Sequence, residues 1–298
     1  MTTTTAARPT PVLDLSTRNV ARGRLVRNRI ATLLVYLSVV VAAVPLGFVL
    51  FYVARKGFAV VDLDFLTADI PVSSRRRGPG MGPAVAGTLL ITLAATAMAV
   101  PLGILAAVYV TEYGEGSRLA GTIRFLSDVM AGVPSIVMGL FVYTVWVLRF
   151  GQSGFAGALA LAALMLPIVI RSTESMLRLV PNDLREGSAA LGASRSRVIL
   201  TVVLPAALPG ITSGSLLAVA RAAGETAPLL FTIGAARAVN TSLFEGTNTA
   251  LSTQIFANAQ LPFAAAQDRA WGAALTLIVI VLVLTILARA VSRRFTVR

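Results

Sequence analysis

The chain alternates between long apolar runs and short segments that collect its charges. Six runs reach or approach the roughly 20 residues that an α-helix needs to cross a bilayer. They are Ile30–Val53, Val85–Val110, Val129–Leu148, Phe155–Ile170, Pro209–Ile233 and Trp271–Ala288. The fourth run is short and would need residues from its flanks. The pattern predicts an all-α integral membrane protein with six transmembrane helices.

Composition strengthens this prediction. Hydrophobic residues make up 56% of the 298 residues and charged residues 13%, whereas a soluble domain carries about 25% charged residues. The net charge of +13 comes almost entirely from Arg, since Lys56 is the only lysine. These charges lie between the apolar runs, which favours membrane orientation and contact with membrane lipid over nucleic-acid binding.

The residue types that are absent exclude several kinds of chemistry. The chain has no Cys and no His, which excludes disulfides, thiol nucleophiles, imidazole acid–base catalysis and Cys or His metal sites. Gly57 follows the single lysine but Phe58 comes next, whereas a P-loop needs Gly-Lys followed by Ser or Thr. We therefore expect no cofactor and no enzyme activity on this chain, with any ATP and Mg²⁺ bound by a partner ATPase.

The distribution of basic residues predicts the orientation. With both termini inside, the inside segments hold 17 basic residues and the outside segments 8, in line with the positive-inside rule. The first apolar run is too long for a signal peptide and is expected to be retained. The expected organisation is a disordered basic cytoplasmic tail (1–29), a first transmembrane helix (30–53), an extracytoplasmic loop (54–84), a core of five further transmembrane helices with a cytoplasmic loop at 171–200 (85–290), and a basic cytoplasmic tail (291–298).

One basic cluster runs against this bias. Arg75, Arg76 and Arg77 fall in the predicted outside loop. We interpret them as a solvated loop that faces lipid head groups or a partner subunit. The alternative is an electrostatic attraction for an anionic solute.

A pair of opposite charges interrupts the fifth apolar run. In LAVARAAGETAPLLF, Arg221 and Glu225 are four residues apart, so they would share a helix face. If the span begins near Pro209, Arg221 lies roughly 18 Å along it, near the midplane of a hydrocarbon core about 30 Å thick. A charge there costs several kcal/mol on insertion scales and needs a partner or a water-filled cavity. The pair either fixes helix packing or belongs to an anion path.

The predicted cytoplasmic loop 171–200 contains clear signals for the start and the end of a helix. Asp183 and Glu186 match a capping box, and Leu184–Leu191 predicts a short helix that Gly192 stops in a left-handed conformation. The loop therefore predicts a small, stiff helix on the cytoplasmic side, which serves either as a docking element or as a simple connector.

The same loop resembles the signature loop of ABC importer permeases. That signature runs Glu-Ala-Ala, three residues, Gly, nine residues, Ile, one residue, Leu-Pro. The stretch from Glu186 to Pro205 follows its register, with Gly187 and Ser188 in place of the two alanines. GTLLITLAATAMAVPLGILAAVYVTEYG, AGVPSIVMGLF, LPAALPGITSG and ARAAGETAPLLFTIG follow one another along the chain. They resemble the phosphate-specific (Pst) importer, and its A-type permease subunit in particular.

The resemblance implies a type I ABC importer permease whose cytoplasmic coupling helix docks on an ATPase. The docking residues would be Asp183, Glu186, Ala189, Ala190, Leu191 and Gly192. The implied partners are a C-type sister permease that completes the pore as a heterodimer, two copies of an ATP-binding subunit, and an extracytoplasmic phosphate-binding protein. The implied location is the bacterial plasma (inner) membrane, where alternating access would carry phosphate inward.

Four residues are candidates for the anion path. Arg221 would offer a fork of donors to a tetrahedral oxyanion, and Glu225 would hold it when no anion is present. Arg171, after the fourth run, is either a membrane-end anchor or the cytoplasmic exit of the path. Ser135 either marks an ordinary helix entry or donates to the passing anion. An importer of sulfate or molybdate and, less directly, a secondary transporter are the alternative functions.

Overall fold

The computed structural model describes residues 22–75, 78, 80–114 and 116–295, and all regular structure in these ranges is helical. The helices in chain order are α1 (Arg22–Gly57), α2 (Leu63–Thr67), α3 (Gly82–Val108), α4 (Arg118–Gly132), α5 (Ser135–Val142), α6 (Leu148–Phe150), α7 (Gly154–Arg178), α8 (Asn182–Ala190), α9 (Arg195–Val198), α10 (Leu204–Ala223), α11 (Leu229–Thr232), α12 (Leu251–Ala259) and α13 (Ala264–Phe295). Three π-helical turns, Tyr109–Tyr113, Tyr143–Val147 and Ile199–Val203, extend or join these helices. The all-α prediction is confirmed.

Five helical segments in the described part are long and apolar enough to cross a membrane. They are Gly23–Gly57, Gly82–Tyr113, Gly154–Arg178, Arg195–Ala223 and Ala264–Leu287. A sixth span exists if the bent pair Arg118–Gly132 and Ser135–Phe150 crosses as one. The protein is therefore a multi-pass membrane protein.

The third apolar run is not the straight span that the sequence predicts. α4 ends at Gly132, α5 begins at Ser135, and the two halves are bent by 106°. Pro134 causes the break, because its ring disfavours the helical conformation of the preceding residue. Val133 accordingly adopts an extended backbone with ψ of 128°.

The fifth apolar run also breaks, and its prediction as one helix from Pro209 to Ile233 is wrong. α10 begins earlier, at Leu204, and ends at Ala223. The chain then turns through Gly224 before the four-residue α11, whose N-cap is Pro228. A glycine followed shortly by a proline is a common end of a helix, since proline cannot continue it.

The predicted tails and loop have shorter limits in the structure. Helix α1 starts at Arg22, so residues 22–29 of the predicted disordered tail are helical, while residues 1–21 lie outside the described residues. Helix α13 continues to Phe295, into the predicted C-terminal tail, and residues 296–298 lie outside the described residues.

The predicted loop 54–84 contains α2. Of the basic cluster only Arg75 is described, with its guanidinium 4.9 Å from the ring centre of Phe263; Arg76 and Arg77 lie outside the described residues.

The chain forms two compact units, Met1–Tyr52 and Val53–Arg298. The described part of the first unit is one helical segment whose apolar side chains are exposed along its length. In water such a surface would be unfavourable, but it matches a lipid environment, where apolar side chains face hydrocarbon.

The second unit is built around α7, the most buried of its membrane-spanning helices. α7 packs against α3 and α10, and much of this contact is made by small side chains. The central apolar cluster consists of Ile91, Ala95, Ala99, Ala158, Leu161, Ala162, Met165, Val169, Ala218, Ala222, Leu229, Ile233 and Ala250. At Gly103 a Cβ atom would lie 2.7 Å from Val169, so glycine permits a close approach of α3 to α7 there. Small residues serve this purpose in membrane helix packing generally.

Candidate translocation path and coupling surface

Arg221 lies in the last turn of α10, and its side chain is not covered by the rest of the described chain. The next two residues, Ala222 and Ala223, are buried, and Ala222 belongs to the central cluster with Leu229. Arg221 itself is exposed. No hydrogen bond or ion pair engages its guanidinium within the described part of the chain. Its five N–H donors are therefore available to a ligand.

The expected pairing of Arg221 with Glu225 is wrong. Because α10 ends at Ala223, Glu225 lies in the following turn and not on the same helical face. The described residues include no ion pair between the two side chains. The backbone of Glu225 is instead fixed by its neighbours: its N–H donates to Ala222 at 3.1 Å, and its carbonyl accepts from the Ser252 hydroxyl at 3.0 Å. Glu225 thus does not hold Arg221 in this structure.

Ser135 begins α5 on the face that packs against the turn between α10 and α11. It is half-buried and stands one helical turn before Gly139, so the two share a face. Gly139 makes the close contact, since a Cβ atom there would lie 2.5 Å from the Cα of Pro228. The structure therefore brings the Ser135 face of α5 to the segment that carries Glu225.

Arg171 is engaged in ion pairs and lies inside α7, which continues to Arg178 rather than stopping before Arg171. Its guanidinium pairs with Asp128 of α4 and lies 3.8 Å from Glu174. Two further arginines bind the same buried carboxylate, Arg124 at 2.8 Å and Arg178 at 2.7 Å. This cluster ties α4 to α7. Arg171 is thus partnered, whether or not an anion passes it.

The two candidate cations of the path stand at different levels. Gly214 of α10 lies directly against Ser172, the residue after Arg171. Arg221 is seven residues further along α10, which corresponds to about 10 Å at the rise of an α-helix. The two arginines are therefore separated along the bundle axis, as successive stops on a path would be.

α8 is the short helix that the sequence predicts on the cytoplasmic side. All six residues expected to contact an ATPase are exposed: Asp183, Glu186, Ala189, Ala190, Leu191 and Gly192. Leu191 is 91% exposed, at the very end of the helix. Gly192 has a φ of +82°, which confirms the predicted left-handed stop.

The predicted capping box at the start of this helix is wrong. α8 begins at Asn182 after Pro181, and no side chain caps it. Asp183 falls inside the first turn, so its carboxylate cannot occupy the N-cap position that the box requires. It remains close to the helix N-terminus, where a negative charge is favourable.

Arg185 connects α8 to the membrane helices, and sequence reasoning missed it. Its guanidinium donates to the Glu112 carboxylate at 2.8 Å and to two carbonyls, those of Leu177 at 2.9 Å and Val180 at 2.5 Å. Glu112 is buried in the π-helical turn that ends the α3 span. The sequence signal for this contact was Glu112, an acidic residue just after the apolar run Val85–Val110. The sequence does not identify the partner of Glu112.

A second arginine reaches the same turn. Arg195 of α9 donates to the Glu112 carbonyl, and its guanidinium lies 5.2 Å from the ring centre of Tyr113. Cations near an aromatic face are attracted by the ring quadrupole. The end of the α3 span is thus held by α8 and by α9 together.

Behind α8 lies a cavity of about 780 Å³. It is lined by residues of α8, α9, α4, the end of α7 and the end of the α3 span, among them Arg124, Arg178, Arg185, Arg195, Glu112 and Ala189. The described residues contain no group of three or more acidic side chains that could hold a metal ion.

Comparison with known proteins identifies the family. The family described as "Binding-protein-dependent transport system inner membrane component" matches residues 99–297. The chain is 44% identical over 275 residues to the "Phosphate transport system permease protein PstA" of Mycobacterium leprae (strain TN), covering 91% of this chain and 90% of the relative. It is 44% identical over 266 residues to the protein of the same name from Yersinia pestis, covering 89% and 90%.

Solved structures share the fold at low sequence identity. A chain of the bacterial alginate ABC transporter, in complex with an alginate pentasaccharide-bound periplasmic protein, has a TM-score of 0.63 at 14% identity, over 92% of this chain and 97% of that chain. A chain of the inward-facing MetNI methionine ABC transporter has a TM-score of 0.61 at 18% identity, over 73% and 96%. The architecture is that of type I ABC importer permeases. From the family match and the extent of the identities, the chain belongs to the binding-protein-dependent transport system inner membrane components, and within them to the PstA permease family.

Proposed function

We propose that the chain is the A-type membrane subunit of an ATP-driven importer of inorganic phosphate. It forms half of the translocation pore, with a C-type sister permease as the other half, in the bacterial plasma membrane with both termini cytoplasmic. Two copies of an ATP-binding subunit, which carry ATP and Mg²⁺, act on α8. An extracytoplasmic binding protein delivers the phosphate. The relatives named as phosphate transport permeases, at 44% identity, support this substrate.

One observation carries the substrate argument within the chain. Arg221 is an exposed cation in the last turn of the membrane-spanning segment Arg195–Ala223, and it has no partner among the described residues. A charge within a membrane span is costly unless it faces a partner or water. A guanidinium fork matches the oxygens of a phosphate in two parallel hydrogen bonds. Arg221 is thus the group that attracts the anion, and the Ser135 face of α5 lies against the segment that follows it.

The proposed mechanism is the alternating access that the family resemblance implies. ATP closes the ATPase dimer and displaces α8, and the pore opens towards the loaded binding protein. Hydrolysis returns the pore to the inward-facing state. Arg171, held by Asp128 and Glu174, offers the second positive stop about 10 Å away. Because it is already paired, it attracts the anion less strongly than Arg221, which favours release.

The test is phosphate uptake into vesicles that contain the reconstituted complex. We compare the wild type with Arg221→Gln and read ATP hydrolysis and subunit assembly in parallel. Uptake should fall at least roughly a hundredfold, the size of losing a charge-assisted, bidentate contact, while assembly and ATP hydrolysis persist.

The matched control is Arg237→Gln, which removes an exposed arginine from the loop after α11. It should keep full uptake. Sulfate and molybdate in excess should not compete with phosphate. Full uptake by Arg221→Gln would remove Arg221 from the path, and competition by molybdate at the level of phosphate would overturn the substrate assignment.

The coupling surface has its own test. Leu191→Ser removes the apolar side chain that is 91% exposed at the end of α8. We expect weaker co-purification of the ATP-binding subunit, because burying this side chain would contribute about 1.5–3 kcal/mol. Leu63→Ser, at a similarly exposed leucine of α2, should leave co-purification unchanged. Equal retention of the ATPase by both variants would exclude Leu191 from the docking surface.

A further inference from the structure

Buried apolar packing does not hold α8 against the ends of α3 and α4. No residue of α8 is buried, and the cavity of about 780 Å³ separates part of the helix from the α3 and α4 ends. Buried apolar contact is the usual means by which one helix moves another. A displacement of α8 therefore has little apolar contact through which to act on α3.

One side chain crosses this gap. Within the described part of the chain, Arg185 is the only α8 residue whose side chain makes hydrogen bonds beyond α8 itself. It bonds the Glu112 carboxylate of the α3 end at 2.8 Å and the Leu177 carbonyl of α7 at 2.9 Å. Both Arg185 and Glu112 are shielded, with side chains 21% and 9% exposed. Charge-assisted bonds of this kind are strong and geometrically specific.

We propose that Arg185 is a positioning residue that transmits the displacement of α8 to the α3 and α7 spans through its bonds to Glu112 and the Leu177 carbonyl. The inference rests on the proposed function, because it presumes an ATPase that moves α8. Arg195 also links the α9–α10 segment to Glu112, since it donates to the Glu112 carbonyl. The α3, α7 and α10 spans thus share one anchor at Glu112, and they are the spans that form the central cluster.

The alternative is that Arg185 only stabilises the fold. The two roles differ in what the variants lose. A structural role lowers assembly, ATP hydrolysis and uptake together. A transmitting role lowers the phosphate taken up per ATP hydrolysed, while the assembled complex continues to hydrolyse ATP.

The experiment uses the full complex in vesicles, with phosphate as the transported probe. In Arg185→Gln and in Glu112→Gln we expect the phosphate taken up per ATP to fall roughly tenfold or more, as for the loss of a charge-assisted hydrogen bond. Glu112→Gln keeps the shape of the side chain and removes only its charge, so it provides a second measurement if Arg185→Gln does not assemble. Arg197→Gln is the matched control, because Arg197 is an exposed arginine of α9 with no side-chain bond among the described residues.

A cross-link supplies the positive test. The chain has no native cysteine, so Arg185→Cys with Glu112→Cys can be joined by a short bifunctional thiol reagent whose link is reducible. The cross-link should restore the uptake per ATP, and reduction should abolish it again. Neither single-cysteine variant should respond to the reagent.

The outcomes separate the two proposals. An unchanged uptake per ATP in the assembled variants, or no recovery on cross-linking, would overturn the role of Arg185 and leave the phosphate assignment intact. A wild-type complex that takes up no phosphate would overturn the proposed function, and with it the premise of this inference.

Discussion

The carboxylate-bound arginines around α8 and α4 use the guanidinium in the opposite way to Arg221 at the end of α10. Around α8 and α4, the guanidiniums of Arg124, Arg178 and Arg185 all bind carboxylates. Arg221, at the end of α10, binds none among the described residues. A paired arginine holds helices together, and an unpaired one inside a membrane protein is available to an anion. The two regions therefore differ in the partners of the guanidinium and not in the residue type.

The third and fifth apolar runs both break at a proline or glycine. Pro134 bends the third run between α4 and α5, and Gly224 with Pro228 ends α10 before α11. The two breaks meet at Gly139, which lies against Pro228. Irregular backbone at membrane depth is tolerated where protein surrounds it or where it lines a cavity, so both breaks are expected to border the path.

The largest effect on stability should come from removing Glu174, the carboxylate that three arginines surround. Glu174→Ala leaves three arginines around an empty position, two of them within 2.8 Å of the removed carboxylate. Glu174 is buried, but its arginine partners are 32–58% exposed and stay accessible to water. The loss is therefore that of its charge-assisted hydrogen bonds, about 1.5–3 kcal/mol. We expect a clearly lower thermal unfolding midpoint of the solubilised protein and poor assembly. A midpoint within one degree or so of wild type would show that the cluster is not structural.

Arg221→Lys should have a smaller effect of a different kind. Lysine keeps the positive charge but not the planar fork, so phosphate uptake should fall by roughly tenfold, or about 1.4 kcal/mol. The unfolding midpoint should not change, because no side-chain bond of Arg221 is lost. Full uptake by the lysine variant would mean that charge alone suffices and that bidentate binding plays no part.

Arg178→Gln should lower stability much less than Glu174→Ala. Arg178 pairs with Glu174 one turn before it, but its own side chain is 58% exposed. Exposed pairs at this spacing contribute about 0.3–0.5 kcal/mol, and Arg124 would continue to hold Glu174. Thermal unfolding of the solubilised protein measures the difference. A loss as large as that of Glu174→Ala would contradict the expectation that Arg124 alone continues to hold Glu174.

The smallest effect is expected at Asp183. A capping residue would contribute about 1 kcal/mol, but Asp183 makes no capping bond in the structure. Asp183→Ala should therefore lower the unfolding free energy by only a few tenths of a kcal/mol, the favourable effect of a charge near a helix N-terminus. A loss near 1 kcal/mol would indicate that the predicted capping box forms in solution.

Much of the architecture follows from the sequence alone. Apolar runs of bilayer length predict the spans, because every backbone group in lipid must be satisfied within a helix. The short helix of the loop 171–200 and its stop at Gly192 follow from local turn chemistry, since a left-handed position strongly favours glycine. Arg221 is identified as a candidate because placing a charge in an apolar run costs free energy, so charges are rare there.

What only the tertiary structure decided is the partner of each charge. Spacing in the sequence suggested that Glu225 neutralises Arg221, but the helix ends between them and separates their faces. The partners that do form, such as Arg185 with Glu112, are 73 residues apart. Ion pairs depend on which helix ends meet in space, and this is determined by the close packing of α3, α7 and α10 around small residues. Hydrophobic periodicity describes one helix at a time and does not show which helix ends lie close together.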